Sequence, residues 1–335
     1  MPGLYVESIK QRASLPFNPG PSHRPHTPCF NAQFTPRFLY RLVAPRSAGT
    51  TTPSLVVPPA VSGGEQDIFG LPPAKAARLL LNHLLWQTGH ADGCNLMSWT
   101  SSLLFALQYA LYRHRRNGDN LSQIHLIVLD TSGFPAGTFI QDMEIMRALQ
   151  GVDAKLQKFV EFRESEYYFG EYLTQGRLDI EGQCVCAPVQ KMIDLGLFEL
   201  QPALGEQDHW QCWPKRVLDF RVLFEKTSPV ATTDGQVETA VDIARECFGG
   251  GWTVAGAIML LALQRRMKDE GDLVRGLKAR FTVTDVRRAG LDKMRVDSRR
   301  LPEVAQFKEL VELVQQSYEI YDIESLVDAI QGLSV

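Results

Sequence analysis

Residues 124–130 constrain the fold of this chain more than any other segment. They read Ile-His-Leu-Ile-Val-Leu-Asp, a nearly continuous apolar run rather than an alternation of polar and apolar residues. A strand of this composition is buried on both faces, as in a sheet that is covered on both sides. Gly133 and residues 135–137 turn the chain after it, and a further strand is expected at 138–140. The chain is therefore expected to build a layered core around a sheet.

The remaining pattern places strands and helices together before residue 184 and mainly helices after it. Residues 37–43 and 95–99 predict strands, because aromatic and branched residues dominate them. Apolar residues at helical spacing predict helices that open at Pro73 and at Leu103. Beyond a mixed stretch the pattern is helical over 237–248, 254–267, 303–318 and 324–333. We therefore expect an α+β fold with a mainly helical C-terminal region.

Three parts of the chain follow from this pattern. Residues 1–36 contain a run of prolines, which remove backbone donors and fix φ, so an extended or disordered arm is expected there. Residues 37–183 carry the predicted strands and form one domain. Residues 184–335 form a mixed and then mainly helical region.

Composition excludes several classes of protein. The 335 residues are 44% apolar and 22% charged with a net charge of −3, as in a soluble globular protein whose surface does not grip nucleic acid as a whole. The six cysteines, at 29, 94, 184, 186, 212 and 247, lack zinc spacing. Free thiols in a reducing compartment and no bound metal are expected. Residues 1–14 lack the apolar core of a secretory signal and 255–263 are too short to span a bilayer, so a cytoplasmic protein with no membrane partner is expected.

Three short segments carry residue types suited to one chemistry. Phe38-Leu39-Tyr40-Arg41 ends a predicted strand in an arginine, whose rigid fork pairs well with a pyrophosphate. Residues 98–102 read Ser-Trp-Thr-Ser-Ser and offer hydroxyls at the end of a second strand. A glutamate-rich segment follows at 164–173. A carboxylate near a ribose stabilises the positive charge that develops when a glycosidic bond to nicotinamide breaks.

In this order the segments resemble the catalytic domain of ADP-ribosyltransferases, in the branch of the cholera and pertussis toxin enzymes. Over about residues 37–182, the tyrosine-arginine strand, the serine-threonine-serine strand and the catalytic glutamate followed by Tyr-Leu have counterparts here. The resemblance implies a split β-sheet core with flanking helices and NAD as substrate. It implies Arg41 for phosphate, Ser98, Thr100 and Ser101 for support, and Glu171 for catalysis. The whole chain also resembles a family of uncharacterised fungal proteins, which suggests no mechanism.

Two features leave the assignment open. Trp99 interrupts the hydroxyl triplet, and a shift of one residue in a strand turns a side chain to the other face. Glu164-Ser165-Glu166 is itself an E-x-E, the form of arginine-modifying members, so Glu166 is a second candidate for catalysis, with Glu164 orienting the acceptor. Glu171 is favoured because Tyr172-Leu173 and Leu178 extend the match.

Each candidate also has a purely structural interpretation. Arg41 could end a strand in a surface ion pair, the hydroxyls at 100–102 could cap the next helix, and Glu171 could be a solvated turn residue. His83, the pair Asp142 and Glu144, and the aromatic cluster at 210–213 are weak candidates for a metal, a cation or a base-stacking site. We interpret them as packing and surface residues.

Three functions are compatible with the sequence. The first is a transferase that moves ADP-ribose from NAD to an unknown protein or small-molecule acceptor, or that hydrolyses NAD. The second is a fungal synthase of arginine-containing cyclic dipeptides that uses aminoacyl-tRNA on a related fold, for which the basic clusters at 113–116 and 287–288 could contact the tRNA. The third is an inactive binding module of the same fold.

Overall fold

The computed structural model describes residues 13–23, 35–60, 65–87, 94–267 and 271–332, with side chains described as far as residue 319. Two antiparallel sheets and surrounding helices make up these residues, which confirms the α+β class. None of the helices in these ranges is long and apolar enough to cross a membrane.

The larger sheet has six strands among the described residues, in the order β6-β7-β4-β1-β5-β9, and the smaller one has the order β2-β3-β8. The strands are β1 Phe38–Val43, β2 Thr50–Thr51, β3 Leu55–Val57, β4 Leu96–Thr100, β5 His125–Asp130, β6 Ile140–Gln141, β7 Glu171–Gln175, β8 Leu178–Asp179 and β9 Cys184–Pro188.

Helices cover the larger sheet and continue beyond it to the C-terminal region. They are α1 Pro73–Leu84, α2 Leu103–Asn117, α3 Asp142–Leu149, α4 Ala154–Glu164, α5 Val189–Asp194, α6 Leu197–Leu200, α7 Lys215–Lys226, α8 Asp234–Ile243, α9 Thr253–Leu261, α10 Gly271–Lys278, α11 Val283–Ala289 and α12 Pro302–Gly332.

Strand β5 occupies the buried position that its composition predicts. Leu126 and Val128 join the core formed with α2 and the C-terminal helices, while Ile127 and Leu129 join a second core on the opposite face. Strand β1 follows the same alternation, since Tyr40 lies in the first core and Leu39 in the second. The two faces of the sheet are therefore both covered here, as a continuous apolar run requires.

The sheet is split between β1 and β4. Strand β1 pairs with β5 along its whole length, from Phe38 to Val43, but its described register with β4 is the single pair of Tyr40 and Thr100. No further pair of these two strands is described, and the side chain of Arg41 bridges them next to it. Its Nη1 donates to the backbone carbonyl of Ser98 at 2.7 Å.

Several element boundaries differ from those expected. Residues 44–72, between the first predicted strand and the first predicted helix, contain two strands that the pattern does not predict: β2 and β3, of which β3 pairs with both β2 and β8. The predicted helix over 254–267 ends at Leu261, and the two last predicted helices are one continuous helix, α12. Strands this short show little periodicity of their own, and β3 pairs with a strand far along the chain. The local sequence pattern therefore does not reveal them.

The predicted division at residue 183 falls immediately before β9, a strand of the larger sheet. The largest core also takes residues from both sides of that position, from Phe38 to Tyr318. Of the predicted N-terminal arm, residues 1–12 and 24–34 lie outside the described residues. The described part lies against the sheet, because Leu15 bridges to Gln175 and Phe17 is buried.

A buried ion pair fastens the C-terminal region to the start of α2. Ser102 caps α2 by accepting from the backbone N–H of Phe105, and its Oγ donates to Glu303 at 2.6 Å. Arg221 of α7 also donates to Glu303, at 3.0 Å from Nη2, and to the carbonyl of Tyr168 at 2.6 Å. The side chains of Arg221 and Glu303 are only 8% and 3% exposed. This contact joins α7, α12 and the N-terminus of α2.

We expect Glu303→Ala to lower the free energy of unfolding by about 3–5 kcal/mol, because it leaves the buried guanidinium of Arg221 without its carboxylate. Urea unfolding measures this. Glu312→Ala is a matched control on the same helix, since Glu312 faces Lys308 in an exposed pair and its loss should cost about 0.5 kcal/mol or less. Equal costs for the two variants would contradict the role given to Glu303.

Candidate functional site

The three residue types singled out by the sequence lie on three neighbouring strands. Arg41 is on β1, Ser98 on β4 and Glu171 on β7, and these strands are adjacent in the order β7-β4-β1. Glu171 is directly opposite Thr100 in the β4–β7 ladder, and Ser98 is opposite Leu173. Residues 41, 98 and 171 thus lie on three neighbouring strands. The register puts Ser98 and Glu171 on one face of the sheet and Arg41 on the other, the face of Met97 and Trp99.

The alternation of β4 resolves the register question raised by Trp99. Trp99 points into the core on one face, where its indole N–H donates to Thr174 at 3.1 Å. Ser98 and Thr100, one residue before and after it, share the opposite face. Trp99 therefore separates the two hydroxyls along the chain without removing either from the side of Glu171.

Arg41 is held in the split of the sheet. In addition to the Ser98 carbonyl, it donates from Nε to Thr51 Oγ1 at 3.2 Å and contacts the Met97 sulfur at 3.8 Å. Its guanidinium carbon lies 6.0 Å from the ring centre of Trp99. Burial lowers the pKa of Arg41 to about 10, so the side chain is still a cation at neutral pH. It is a fixed positive charge beside Ser98.

His83, in the last turn of α1, is a site residue that sequence reasoning passed over. Its Nε2 lies 2.8 Å from Ser98 Oγ, and its Nδ1 lies 3.1 Å from Cys94 Sγ. Burial lowers the pKa of His83 to about 4; the charge of Glu171 opposes this shift and that of Arg41 adds to it. His83 is therefore neutral at neutral pH and lies within the electrostatic reach of both Arg41 and Glu171.

Glu171 is held by a row of alternating charges. Its Oε2 accepts from Arg163 Nη2 at 2.7 Å, and Arg163 Nε lies 3.4 Å from Asp142 Oδ2. Arg163 also lies against the rings of Phe159 and Phe169. Burial raises the pKa of Asp142 to about 7, against the lowering effect of Arg163 and with a further increase from Glu171.

The hydroxyl residues after Trp99 support the turn that leads into Glu171. Thr100 Oγ1 donates to the carbonyl of Phe169 at 2.7 Å, and the N–H of Ser101 donates to the carbonyl of Gly170 at 2.9 Å. Gly170 has φ of +66°, and a Cβ there would lie 2.1 Å from Ser101 Oγ. The turn consequently requires glycine, and both Thr100 and Ser101 are buried against it.

The alternative glutamates occupy a different position. Glu164 ends α4 and pairs with Arg147 at 2.7 Å, in an ion pair with both side chains more than 40% exposed. Glu166 is exposed in the segment between α4 and β7. Glu171 is the candidate carboxylate that lies on the sheet itself, on the strand that pairs with the strand of Ser98.

An aromatic stripe adjoins the site. We give this name to Trp86, Phe105, Tyr109, Tyr112, Tyr167, Phe169 and Trp213. Trp86 stacks on Trp213 with ring centres 4.8 Å apart, Tyr109 and Phe105 contact Trp213 at 4.6 and 5.1 Å, and Phe105 stacks on Phe169 at 4.7 Å. Trp86 is 50% exposed. The predicted cluster at 210–213 is divided, because Trp210 is buried and donates to the Leu204 carbonyl.

One sequence signal could have found His83. It lies seven residues after Ala76 in α1, beside the buried stripe that contains Ala76, Leu80 and Leu84, so it is on the packed side of the helix. Arg163 and Asp142 carry no such signal, since their pairing joins α3 and α4. Within the described ranges, no group of three His, Cys, Asp or Glu residues could hold a metal ion.

Comparison with known proteins gives one match. Residues 34–185 match a family described as Domain of unknown function (DUF7587). The matched segment starts just before β1 and ends within β9, so it contains the candidate residues from Arg41 to Glu171 but not Trp213 of the aromatic stripe. No curated protein matches the chain, and no solved structure does.

The low pKa of His83 predicts a pH-dependent stability. The unfolded chain binds a proton at His83 below pH 6.5, whereas the folded chain does so only near pH 4. The stabilisation that goes with a neutral His83 is therefore complete above pH 6.5 and is lost as the pH falls to about 4. In urea unfolding, the wild type should gain stability relative to His83→Gln as the pH rises from 4 to 6.5. A constant difference would contradict the shift.

Asp142 predicts a trend of the opposite sign. Its pKa is raised when folded, so the folded chain holds a proton that the unfolded chain releases above pH 3.8. The wild type should lose stability relative to Asp142→Asn as the pH rises from about 4 to about 7. The same series of urea unfolding experiments measures this trend. A gain in the stability of the wild type over this range would show that Arg163 lowers the pKa of Asp142 more than burial raises it.

Proposed function

We propose that this protein acts on NAD, transferring ADP-ribose to an acceptor or hydrolysing the nicotinamide–ribose bond. The observation that supports the proposal is the placement of Arg41, Ser98 and Glu171 on the adjacent strands β1, β4 and β7, with the Arg41 guanidinium bonded to the Ser98 backbone carbonyl. The order of these residues along the chain and their order across the sheet both agree with the resemblance to ADP-ribosyltransferases.

Each residue has a definite part in the proposed reaction. Arg41 is a fixed cation and binds the pyrophosphate through its guanidinium. Ser98, which is held by His83, positions the nicotinamide ribose. Glu171 is the catalytic carboxylate and stabilises the oxocarbenium-like charge as nicotinamide leaves. Arg163 orients Glu171 from the side opposite β4, and Thr100 and Ser101 fix the turn before it.

The acceptor is a protein, a small molecule or water. Glu164 and Glu166 lie on the exposed segment that enters β7, where an acceptor would meet the site. The exposure of Glu166 suits a role in selecting the acceptor. The mostly buried position of Glu171 suits a role in breaking the nicotinamide–ribose bond.

A cytoplasmic location is part of the proposal. Cys94, Cys184, Cys186, Cys212 and Cys247 are all free thiols in the described part of the chain. Free thiols are typical of a reducing compartment.

Incubation of the purified protein with NAD should release nicotinamide, which chromatography quantifies. Glu171→Gln should reduce the rate at least about 100-fold, because it removes the charge that stabilises the transition state. Arg41→Ala should mainly raise KM, because it removes binding to the phosphates. Glu166→Gln, at the exposed candidate, should keep nicotinamide release and alter transfer to the acceptor.

The variants also distinguish the competing functions. If Glu166→Gln abolishes nicotinamide release and Glu171→Gln does not, the catalytic position is Glu166. If the wild type releases no nicotinamide with a lysate supplied as a source of acceptors, the proposal is wrong. A cyclic dipeptide found in the expression host would then favour the aminoacyl-tRNA reaction. Tight binding of NAD without turnover would favour a binding module.

A further inference from the structure

We propose that Ser98 and His83 form a nucleophile and base pair that attacks carboxylic esters. This activity goes beyond NAD chemistry and needs neither NAD nor the carboxylate of Glu171. It rests on contacts among four described residues at the split of the sheet: Arg41, His83, Cys94 and Ser98.

The hydrogen bonds around His83 assign its tautomer. Cys94 Sγ lies 3.9 Å from the Leu96 carbonyl, an acceptor to which the thiol donates. Burial raises the pKa of the Cys94 thiol, so it keeps its proton for that contact. The sulfur can then accept only from His83, whose Nδ1 lies 3.1 Å away and carries the ring proton. Nε2 is left as an acceptor.

This tautomer makes His83 a base for Ser98. With Nε2 unprotonated and 2.8 Å from Ser98 Oγ, the serine hydroxyl donates to the imidazole. A serine hydroxyl that donates to a neutral imidazole oriented by a third group is the arrangement that activates serine as a nucleophile. Cys94 has the orienting position that a carboxylate usually has in such triads.

A cation lies near the pair, on the other side of strand β4. Arg41 Nη1 donates to the Ser98 backbone carbonyl at 2.7 Å, and the guanidinium contacts Met97 and Trp99 on the face opposite the Ser98 side chain. Its charge acts on His83 through space. The same charge favours the negative oxygen of a tetrahedral intermediate without a hydrogen bond to it.

The reaction proceeds in two balanced halves. Ser98 Oγ bonds to the ester carbon as its proton passes to His83 Nε2. The bond to the alcohol then breaks, and the alcohol leaves with the proton from Nε2. Water attacks the acyl-serine in the same way, gives its proton to His83 and releases the acid with Ser98 restored. The net change is an ester and water converted to an acid and an alcohol.

The aromatic stripe favours esters whose alcohol carries a planar ring. Trp86 lies three residues beyond His83, is half exposed and stacks on Trp213. Tyr109 is close enough to Arg41 to oppose the lowering of its pKa. The stripe offers aromatic rings on which a planar leaving group can stack, and its nearness in sequence to His83 is the reason for assigning the leaving group to it. An aryl ester is the substrate class that fits.

The test uses the full chain and a fluorophosphonate probe, from which Ser98 Oγ displaces fluoride. We expect phosphonylation of Ser98, located by peptide mass spectrometry. Labelling should be absent in Ser98→Ala. It should be slowed about 100-fold or more in His83→Ala and His83→Gln, because neither variant has a base that can take up the serine proton. His83→Gln keeps an amide near Ser98 and Cys94, so a normal melting temperature for it separates loss of the base from loss of the fold. Ser122→Ala, at an exposed serine, should label as the wild type does.

Two further measurements make the proposal specific. The wild type should hydrolyse para-nitrophenyl acetate, and Trp86→Ala should lower kcat/KM for this aryl ester by a larger factor than it slows labelling by an alkyl fluorophosphonate, which carries no ring. Glu171→Gln should lose NAD turnover but still be labelled at Ser98, with a change in labelling rate no larger than the effect of the Glu171 charge on the basicity of His83. The failure of NAD turnover and the failure of this proposal are therefore distinguishable. An unlabelled wild type, labelling at another serine, or an unchanged rate in both His83 variants would overturn it.

Discussion

The contact between the Arg41 guanidinium and the Ser98 carbonyl is the interaction on which this site depends. Strands β1 and β4 part after Tyr40 and Thr100, and a carbonyl inside a sheet must find a donor when its ladder ends. The guanidinium supplies that donor, so the same side chain that closes the sheet also fixes a positive charge at the split. The chemistry proposed for both NAD and esters uses this charge.

The C-terminal region has a direct effect on the site although it lies outside the matched family segment. Arg221 donates to the Tyr168 carbonyl and lies against the ring of Phe169, and Glu303 receives Ser102. These contacts hold Ser102, just after β4, and residues 168–169, just before the turn at Gly170 that leads into Glu171. The helices beyond residue 184 are therefore part of the framework that sets the position of Glu171.

Local patterns in the sequence were enough for the elements that are long or fully buried. The apolar run of β5, the strand β1 and the start of α2 were predicted within one or two residues, because their burial and capping leave local signals. Arg41, Ser98 and Glu171 lie on neighbouring strands, as the resemblance leads one to expect, but the register puts Arg41 on the face of Trp99 and the other two on the opposite face. The position of His83 and the row of charges formed by Asp142, Arg163 and Glu171 could not be predicted from the sequence. Strand register and the packing of α1, α3 and α4 are set by contacts between residues that are distant in sequence.

Gly170 has a use outside this single chain. The turn closes on Ser101 so tightly that a side chain at this position would overlap the serine, and the backbone there has the left-handed conformation. A sequence that folds in the same way gains from glycine at this point, because any Cβ there strains the backbone and displaces Ser101. The glycine therefore offers a landmark for aligning other sequences, with the counterpart of Glu171 directly after it.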